Sequence, residues 1–378
     1  MTYDTIILGL GAMGSSAAMR LARRGKRVLG LERFGVAHNR GSSHGRSRMI
    51  RMAYYEHPDY VPLLRRAYEL WDELASLADE PLLFRSGGLY LGRPDCELIA
   101  GARRSAAEHR LPIEVLDRDA VARRFPQFRP DEGMIGVFEP SAGFLLPERV
   151  IVANLRLAEC AGATIRTGER VIDWHARSDG VDVMTDRASY TGRSLILAAG
   201  GWMGDLCRLP MLAARLRVTR QALAWFQPLR NDLSIGTMPV WGIDHPSGGL
   251  LYGFPVHPAD DGGLKAAVHL PGPDAHPDAL DRSERPDDID LIRAGLDRHL
   301  PNAAGTLARH CVCMYTNTPD GHFVLDRHPD HANVLFASCC SGHGFKFASV
   351  VGEILADRAS GLSTTAPIGF LSLRRFQE

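Results

Sequence analysis

The chain has 378 residues, 45% of them hydrophobic, and its 44 acidic and 44 basic side chains leave no net charge at neutral pH. This length predicts two closely joined domains with a sizeable core, and the charge balance argues against nucleic acid or another polyanion as partner. The seven cysteines are odd in number and lack the spacing of a disulfide scaffold, which favours a reducing cytoplasm. We expect no signal peptide, because a strand pattern begins at Thr5, and no membrane span, because no apolar run approaches about 20 residues.

The N-terminal segment carries the pattern of a dinucleotide-binding unit. An apolar strand from Thr5 to Leu8 leads into a G-x-G-x-x-G motif at residues 9–14, and a small-residue helix follows from Ser15 to Arg24. A second strand then ends at the acidic Glu32. The order of strand, glycines, helix, strand and acid favours a nucleotide site over a glycine-rich turn of an ordinary α/β unit.

Each part of this motif has a physical reason. Gly9 permits a tight turn, Gly11 lets the backbone approach a pyrophosphate, and Gly14 lets the helix pack closely on the strand. The helix N-terminus stabilises the anion. Glu32 can accept hydrogen bonds from a ribose diol. The motif alone does not separate NAD from FAD.

The next loop contains four arginines between Arg40 and Arg51. Its glycines and serines let it wrap closely around a ligand, and a guanidinium matches a carboxylate or phosphate with two parallel hydrogen bonds. The zero net charge and the lack of flanking aromatic residues argue against nucleic acid. We interpret the loop as a binding segment for a small anion, with a solvated basic loop as the alternative.

The remaining elements are predicted from apolar periodicity and turn residues. Helices are predicted at residues 60–77, 148–161 and 291–300. Strands are predicted at residues 84–91, 164–166, 171–175, 181–185, 218–226, 250–254, 265–269 and 333–337. Residues 195–202 are predicted to be a buried strand that runs into a glycine loop, and residues 271–290 an exposed loop. One strand contains Lys265, which is either an outward-facing residue or a buried lysine with a chemical role, since burial of an unpartnered lysine is costly.

The stretch from Cys311 to Phe347 holds further candidate site residues. Its cysteines do not match the C-x-x-C spacing of zinc sites, so we expect no metal. A Cys-His-Asp hydrolase would use His322 and Asp326, but no oxyanion-type elbow is present and the nucleotide motif would have no role. A cysteine such as Cys313 can instead bond covalently to a flavin ring, although most free cysteines are small buried apolar residues. The glycine loop that ends the stretch would place Lys346 beside that ring.

These residues resemble the monomeric sarcosine oxidases and the N-methyltryptophan oxidases, which belong to the D-amino-acid-oxidase-like flavoproteins. The matching stretches are G-L-G-A-M-G, G-S-S-H-G-R-S-R-M-I-R, Y-G-F-P, G-L-K, C-M-Y-T-N-T-P-D-G-H-F and S-G-H-G-F-K-F-A-S-V-V-G-E, and they run from residue 5 to residue 356. The chain departs from the family pattern at Arg46, where an acid is common, and in a long loop at residues 258–261. It also has no clear match at residues 238–243, so the preference for the substrate side chain stays open.

The resemblance implies roles for individual residues. Cys313 would form a thioether to the 8α carbon of FAD, Lys265 would activate oxygen, and Arg51 with Lys346 would bind the substrate carboxylate. Tyr252, Tyr315 and His269 would complete the catalytic site. The residues expected to contact the cofactor are Gly9, Gly11, Met13, Gly14, Glu32, Arg33, Ser42, Ser43, His44, Arg48, Val171, Ala199, Gly200, Trp202, Cys313, Gly342, Gly344, Phe345 and Lys346.

We therefore expect an α/β fold with mixed α+β character. A Rossmann-like FAD-binding domain would comprise residues 1–83, 146–216 and 322–378. A substrate domain with a mixed sheet would comprise residues 84–145 and 217–321.

The expected function is a flavin-dependent amine oxidase that acts on N-methyl amino acids such as sarcosine. It would produce an imine, then formaldehyde, and hydrogen peroxide. The alternatives are an oxidase of a bulkier or cyclic secondary amino acid (N-methyltryptophan, pipecolate or proline, or a glycated amino acid), a flavin dehydrogenase with another electron acceptor, and a nucleotide-binding scaffold without catalysis. The expected partners are a small amino-acid substrate and oxygen, with no nucleic acid and no membrane, and the expected state is a cytoplasmic monomer.

Overall fold

The structure of the protein is a computed structural model that describes residues 2–246, 248–258, 263–270 and 272–376. Residues 259–261 of the long loop, and the first residue of the loop predicted at 271–290, lie outside these ranges. The strands are β1 (Thr2–Leu8), β2 (Val28–Leu31), β3 (Arg48–Ile50), β4 (Leu83–Phe84), β5 (Gly88–Gly92), β6 (Glu114–Leu116), β7 (Ile135–Glu139), β8 (Gly143–Leu145), β9 (Thr164–Arg166), β10 (Val171–Arg177), β11 (Gly180–Thr185), β12 (Ser189–Leu197), β13 (Arg217–Phe226), β14 (Val240–Asp244), β15 (Leu250–Gly253), β16 (Leu264–His269), β17 (Leu307–Asn317), β18 (Val324–Arg327) and β19 (Val334–Ser338). The helices are α1 (Ala12–Arg23), α2 (Tyr60–Ala78), α3 (Glu97–His109), α4 (Arg118–Arg124), α5 (Pro147–Cys160), α6 (Met203–Leu206), α7 (Pro210–Ala213), α8 (Pro286–His299) and α9 (Ala348–Ala359).

The first large sheet has a parallel centre. β1 pairs with β2 and β12, β9 pairs with β2, and β19 pairs with the carboxyl-terminal part of β12, all in parallel. Ile6, Ile7 and Leu8 of β1 are at most 1% exposed, as expected for a strand covered on both faces. The antiparallel hairpin of β10 and β11 joins the same sheet. This arrangement confirms the predicted strand, helix, strand unit at the N-terminus.

Helices cover one face of this sheet. α1 packs against α5 and α9, and α2 packs against α9. Gly11 precedes α1 as its N-cap residue and has no side chain to cap it, Ser43 Oγ accepts the N–H of Ala12 at 3.3 Å, and the first turn carries no acidic side chain. Its N-terminal amides are therefore suited to an anionic ligand.

The second large sheet has the strand order β17, β13, β16, β15, β14, β5, β7, β6. The long antiparallel pair of β13 and β17 sets Gln221 opposite Cys313, and β16 sets Lys265 opposite Trp225. Its strands come from the two segments predicted for a substrate domain, and those of the first sheet come from the segments predicted for an FAD domain. The domain boundaries themselves stay a prediction.

Two predicted elements are wrong in detail. The strand predicted at residues 84–91 is broken into β4, in a small sheet with β3 and β8, and β5, in the second large sheet. The chain changes sheets at Gly87, whose N–H donates to Ala142 O. The loop predicted at 271–290 ends sooner than expected, because α8 begins at Pro286 with Asp287 and Asp288 in its first turn.

Two further observations concern the chain as a whole. Within the ranges that the structure describes, no helix combines the length and apolar character that a membrane crossing needs. The seven cysteines, all of them in described ranges, are free thiols.

Candidate active site

A cavity of about 520 Å³ lies where the two large sheets meet. The ends of β1 and β2 line it with Leu8 and Leu31, and the second sheet contributes Leu223 and Tyr252. The carboxyl ends of parallel strands are the usual place for a ligand in an α/β sheet. The predicted site residues that line this cavity are Gly9, Gly11, Met13, Glu32, Arg33, Ser42, Ser43, Arg48, Arg51, Val171, Ala199, Gly200, Trp202, Tyr252, His269, Cys313, Tyr315, Gly342, Gly344, Phe345 and Lys346.

Three predicted residues do not line the cavity directly. Gly14 lies in α1 where an added Cβ would stand 1.9 Å from Gly9 O, so it serves the close packing of helix and turn. His44 is a buried residue of the arginine loop itself, and Lys265 is buried below that loop. The predicted role of Lys265 would have to be exerted across the loop.

The nucleotide end of the cavity is formed by the glycine turn and Glu32. Gly9 has a φ of +88°, and a Cβ there would meet Ala198 O at 2.6 Å, whereas the nearest atom to a Cβ at Gly11 is Ser43 Oγ at 3.5 Å. Each carboxylate oxygen of Glu32 accepts one backbone N–H, from Leu10 at 3.0 Å and from Phe34 at 2.9 Å. Burial alone would raise the pKa of Glu32, but hydrogen bonds from a neighbouring histidine and from these two amides hold it below its ordinary value. Glu32 is therefore an ionised acceptor.

Lys265 is a buried lysine, so the alternative of an outward-facing strand residue is wrong. It is 1% exposed, and its Nζ donates to Gly45 O at 2.7 Å, to Ser47 O at 2.6 Å and to Ser47 Oγ at 3.2 Å. The ammonium also lies 4.5 Å from the ring centre of Phe254 and 5.5 Å from that of Trp225. These contacts offset the cost of burying the charge and fix its position beneath the arginine loop.

Cys313 faces the same loop from β17. Arg48 Nη2 lies 3.5 Å from its Sγ, and the thiol lies 3.5 Å from Ser42 O. Burial raises the pKa of the Cys313 thiol to about 11, although the Arg48 guanidinium acts in the opposite direction. The neighbouring Cys311 contacts His44 Nδ1 at 3.5 Å, and burial with the nearby Arg48 lowers the pKa of His44 to about 3. At neutral pH the thiol is thus protonated and the imidazole neutral.

Arg51 and Lys346 lie at the other end of the cavity, and Glu56 joins them. Arg51 is 4% exposed, and its Nη2 contacts both Glu56 oxygens, at 2.6 and 2.7 Å. Burial would raise the pKa of Glu56, but Arg51, His343 and Lys346 lower it to about 2. Burial and the Arg51 charge lower the pKa of Lys346 to about 7, and Glu56 opposes this shift. The charge of this pair suits a carboxylate, and Glu56 already supplies one to Arg51.

Three side chains lie next to this cation pair. His269 Nδ1 lies 3.2 Å from the Tyr315 hydroxyl, and that hydroxyl is also hydrogen-bonded to Tyr252. Burial lowers the pKa of His269 to about 4, with Lys346 and Arg51 acting in the same direction and Glu56 against them. His269 is accordingly neutral at physiological pH. It can exchange a hydrogen bond with a ligand without adding a third positive charge.

Sequence reasoning missed several residues of the site. Tyr54 and Glu56 follow Arg51 closely in the sequence. An aromatic residue and an acid so near a predicted site arginine are a usable signal for further site residues. No sequence signal marks Glu148, since it reaches the arginine loop from α5, where it accepts the backbone N–H of Gly45 at 2.6 Å. His343 stands inside the predicted glycine loop but was not singled out.

The residues present fit FAD. Ser42 Oγ is buried on the cavity and has no hydrogen-bond partner among the described residues, so it can serve a pyrophosphate oxygen. The open backbone at Gly11 and the start of α1, whose first turn carries no acidic side chain, suit the same group. Glu32 suits a ribose. The cavity then continues past Cys313 to the cation pair.

Comparison with known proteins places this geometry in a family context. The profile of the DAO family, described as FAD dependent oxidoreductase, matches residues 4–358. The monomeric sarcosine oxidase of Streptomyces avermitilis is 41% identical over 377 residues, which is 99% of this chain and 98% of the relative. The N-methyl-L-tryptophan oxidase of Salmonella enteritidis is 36% identical over 384 aligned positions and all of both chains.

A solved structure with the same fold is that of NikD, described as an unusual amino acid oxidase essential for nikkomycin biosynthesis. It is 28% identical, with a TM-score of 0.86 over 98% of this chain and 97% of that one.

Proposed function

Because this chain belongs to the DAO family of FAD-dependent oxidoreductases, we propose that it oxidises the C–N bond of a secondary amino acid such as sarcosine, with oxygen as the electron acceptor. The observation that carries the proposal is the buried pair of Arg51 and Lys346 at the end of the cavity. Such a pair suits the carboxylate of an amino acid. Relatives at 36–41% identity are named for the oxidation of N-methyl amino acids.

When bound, FAD would supply the redox chemistry, taking two electrons from the C–N bond and passing them to oxygen. The products would be an imine and hydrogen peroxide, and hydrolysis of an N-methyl imine would release formaldehyde. The residues proposed to hold the cofactor are those of the glycine turn, Glu32 and the arginine loop.

The side chains near the cation pair would orient the substrate. Arg51 and Lys346 would hold the carboxylate, while the neutral His269 and Tyr315 would contact the amine. The amine must react unprotonated, because an ammonium has no lone pair to drive the transfer. Two cations and a neutral histidine favour that state, since added positive charge nearby lowers the pKa of an amine.

Lys265 would serve the oxygen half of the reaction. Its ammonium has a fixed position, and a fixed cation stabilises negative charge as it develops on oxygen. We expect Lys265→Met to slow reoxidation by oxygen at least a hundredfold, about 2.7 kcal/mol, while anaerobic reduction by substrate stays within a few-fold.

The test is a peroxide-release screen over secondary amino acids, followed by stopped-flow measurement of each half-reaction. Peroxide production that is unchanged in Lys265→Met would reject the oxygen role. Amine oxidation that needs another electron acceptor would identify a dehydrogenase.

We also propose that the flavin is covalently attached through Cys313. The thiol S–H bond and one C–H bond of the flavin 8α methyl group would break as the C–S bond forms, and the two electrons and two protons released would pass to oxygen to give hydrogen peroxide. Arg48, 3.5 Å from the sulfur, supports loss of the proton from a thiol whose pKa burial has raised. Acid precipitation should leave wild-type protein yellow and Cys313→Ser colourless, with Cys311→Ser as a yellow control. Covalent flavin in Cys313→Ser would show that another residue is the attachment point.

The assembly and location are proposals as well. A monomer is supported by the names of the sarcosine oxidase relatives, and a cytoplasmic location by the seven free thiols. Sedimentation of the holoenzyme at several concentrations tests the first, and fractionation of the source cells tests the second.

A further inference from the structure

We propose that Tyr54 and His343 are positioning residues for the substrate carboxylate, because together they hold Arg51 and Lys346 on one side of the cavity. The inference rests on the carboxylate-binding role proposed for those two cations. Tyr54 is fully buried, and the proposed reaction gives it no chemical task.

The ring of Tyr54 is shared by both cations. The Arg51 Cζ lies 4.5 Å from its centre and the Lys346 Nζ lies 5.3 Å from it. Two buried cations repel each other, and the negative face of an aromatic ring is one of the few partners that attracts both without neutralising either. The Glu56 carboxylate already bonds Arg51, whereas the Tyr54 ring contacts both cations and leaves their charges for a carboxylate ligand.

The hydroxyl of Tyr54 is bonded to His343 Nδ1, and His343 Nε2 lies 3.0 Å from Gly321 O. A carbonyl oxygen only accepts, so Nε2 carries the proton and Nδ1 accepts from the tyrosine. Burial, together with Lys346, lowers the pKa of His343 to about 3, against the influence of Glu56. The imidazole is therefore neutral, with one tautomer set by its two partners.

The backbone of the same histidine completes the link to the second cation. Lys346 Nζ donates to His343 O at 2.8 Å, and Trp71 Nε1 donates to Lys346 O at 2.9 Å. The backbone of Tyr54 is also fixed, since Ser105 Oγ donates to its carbonyl oxygen at 2.5 Å. Arg51, Tyr54, His343 and Lys346 thus form one connected group across segments that are 289 residues apart.

The alternative is that Tyr54 only fills space. Its ring belongs to an aromatic cluster with Tyr60 and Phe347, at centroid distances of 5.0 and 5.3 Å. Tyr60 offers a matched control because it is also fully buried in the cluster, while its hydroxyl is directed to His322 and the backbone N–H of Phe323. A packing role predicts equal effects of truncating either tyrosine.

The test compares Tyr54→Leu, Tyr54→Phe and Tyr60→Leu holoenzymes with wild type. Propionate is titrated against each from pH 5.5 to 9, and binding is followed through the absorption spectrum of the bound flavin. In wild type the affinity should fall as the pH rises through about 7, because the Lys346 ammonium then loses its proton.

We expect Tyr54→Leu to weaken propionate binding at pH 6 at least tenfold and to move the pH midpoint. Tyr54→Phe keeps the ring but releases His343, so it should weaken binding about threefold, and KM for the amino acid should rise with little change in kcat. Tyr60→Leu should leave the affinity within twofold of wild type.

Equal losses in Tyr54→Leu and Tyr60→Leu would overturn the proposal, as would unaltered binding in Tyr54→Phe if the leucine variant fails to fold. A wild-type protein that binds propionate as described but oxidises no amine would contradict the proposed function and leave the positioning role intact.

Discussion

At the scale of single residues, the carboxylate of Glu56 is already bonded to Arg51, which we propose as a ligand of the substrate carboxylate. It contacts Arg51 through both oxygens at 2.6 and 2.7 Å, and its pKa is lowered to about 2, so it stays ionised throughout the physiological range. A substrate carboxylate must therefore displace Glu56 or share Arg51 with it. Either case weakens substrate binding, because two negative charges then compete for the same cations.

Glu56→Gln should strengthen the binding of a simple carboxylate about tenfold, or about 1.4 kcal/mol. The change removes the competing charge and keeps the shape of the side chain. The titration is best done near pH 6, because loss of Glu56 also lowers the pKa of Lys346 further and a neutral lysine would mask the gain. Glu97→Gln, which removes an exposed acid near Tyr55, is the control. Weaker binding in Glu56→Gln would mean that Glu56 orients Arg51 in the complex.

Single residues were predictable only where a local motif marked them. Arg51 and Lys346 stand in specific stretches, so their convergence on one cavity followed from the resemblance. Tyr54 and His343 were not predictable, since their contact joins segments 289 residues apart and depends on the tautomer of one imidazole. The sequence leaves two orientations open for Lys265, because alternation along a strand does not tell which face is buried when both faces are apolar.

At the scale of elements, the approach of α1 to α9 determines how the nucleotide turn is supported. Gly352 of α9 faces Ser16 of α1, and an added Cβ would lie 2.2 Å from Ser16 Oγ and 2.8 Å from its backbone carbon. The serine rotamer cannot relieve both contacts. The two helices must separate for any larger residue to fit.

Gly352→Ala should therefore lower the free energy of unfolding by about 1–3 kcal/mol, the usual cost of overpacking. Gly204→Ala in α6 is the matched control, because the nearest atom to its added Cβ is Ala213 Cα at 3.9 Å. It should be neutral or slightly stabilising. Urea unfolding of both variants with excess FAD measures the difference, and equal midpoints would mean that α9 shifts without cost.

Elements with strong periodicity were predicted well, and those that depend on tertiary context were not. The helix predicted at residues 60–77 is α2, Tyr60–Ala78. The strand predicted at 84–91 is wrong because the apolar pattern continues while the chain passes from one sheet to another at Gly87. No local signal distinguishes a continuous strand from one that changes partners.

At the scale of the whole molecule, the family and the α/β fold class predicted from the sequence are confirmed. The sequence does not predict that the segment at residues 272–288 returns to the nucleotide end of the cavity. Asp278 accepts from Arg33 Nη1 at 2.5 Å and from Trp202 Nε1 at 2.9 Å, and Arg282 donates to Arg40 O at 2.8 Å. Arg33 was predicted to contact the cofactor, and the structure gives it this bridging role as well.

The contacts of Asp278 with Arg33 and Trp202, which we call the Asp278 bridge, suggest how non-covalently bound FAD would be retained. Asp278 and Trp202 line the cavity, so releasing them should open its nucleotide end. In a Cys313→Ser background, Asp278→Asn should raise the Kd for FAD roughly fivefold, about 1 kcal/mol, as expected for a half-exposed ion pair with one added hydrogen bond. Asp281→Asn is the control, because the Asp281 carboxylate bonds to Ser283 and Arg285 of its own segment, and the substitution leaves its backbone contact with Arg220 in place. Fluorescence titration of the apoprotein measures both constants, and the ratio should shrink at high salt. If the two variants bind FAD equally well, the bridge ties the domains together without closing the cavity.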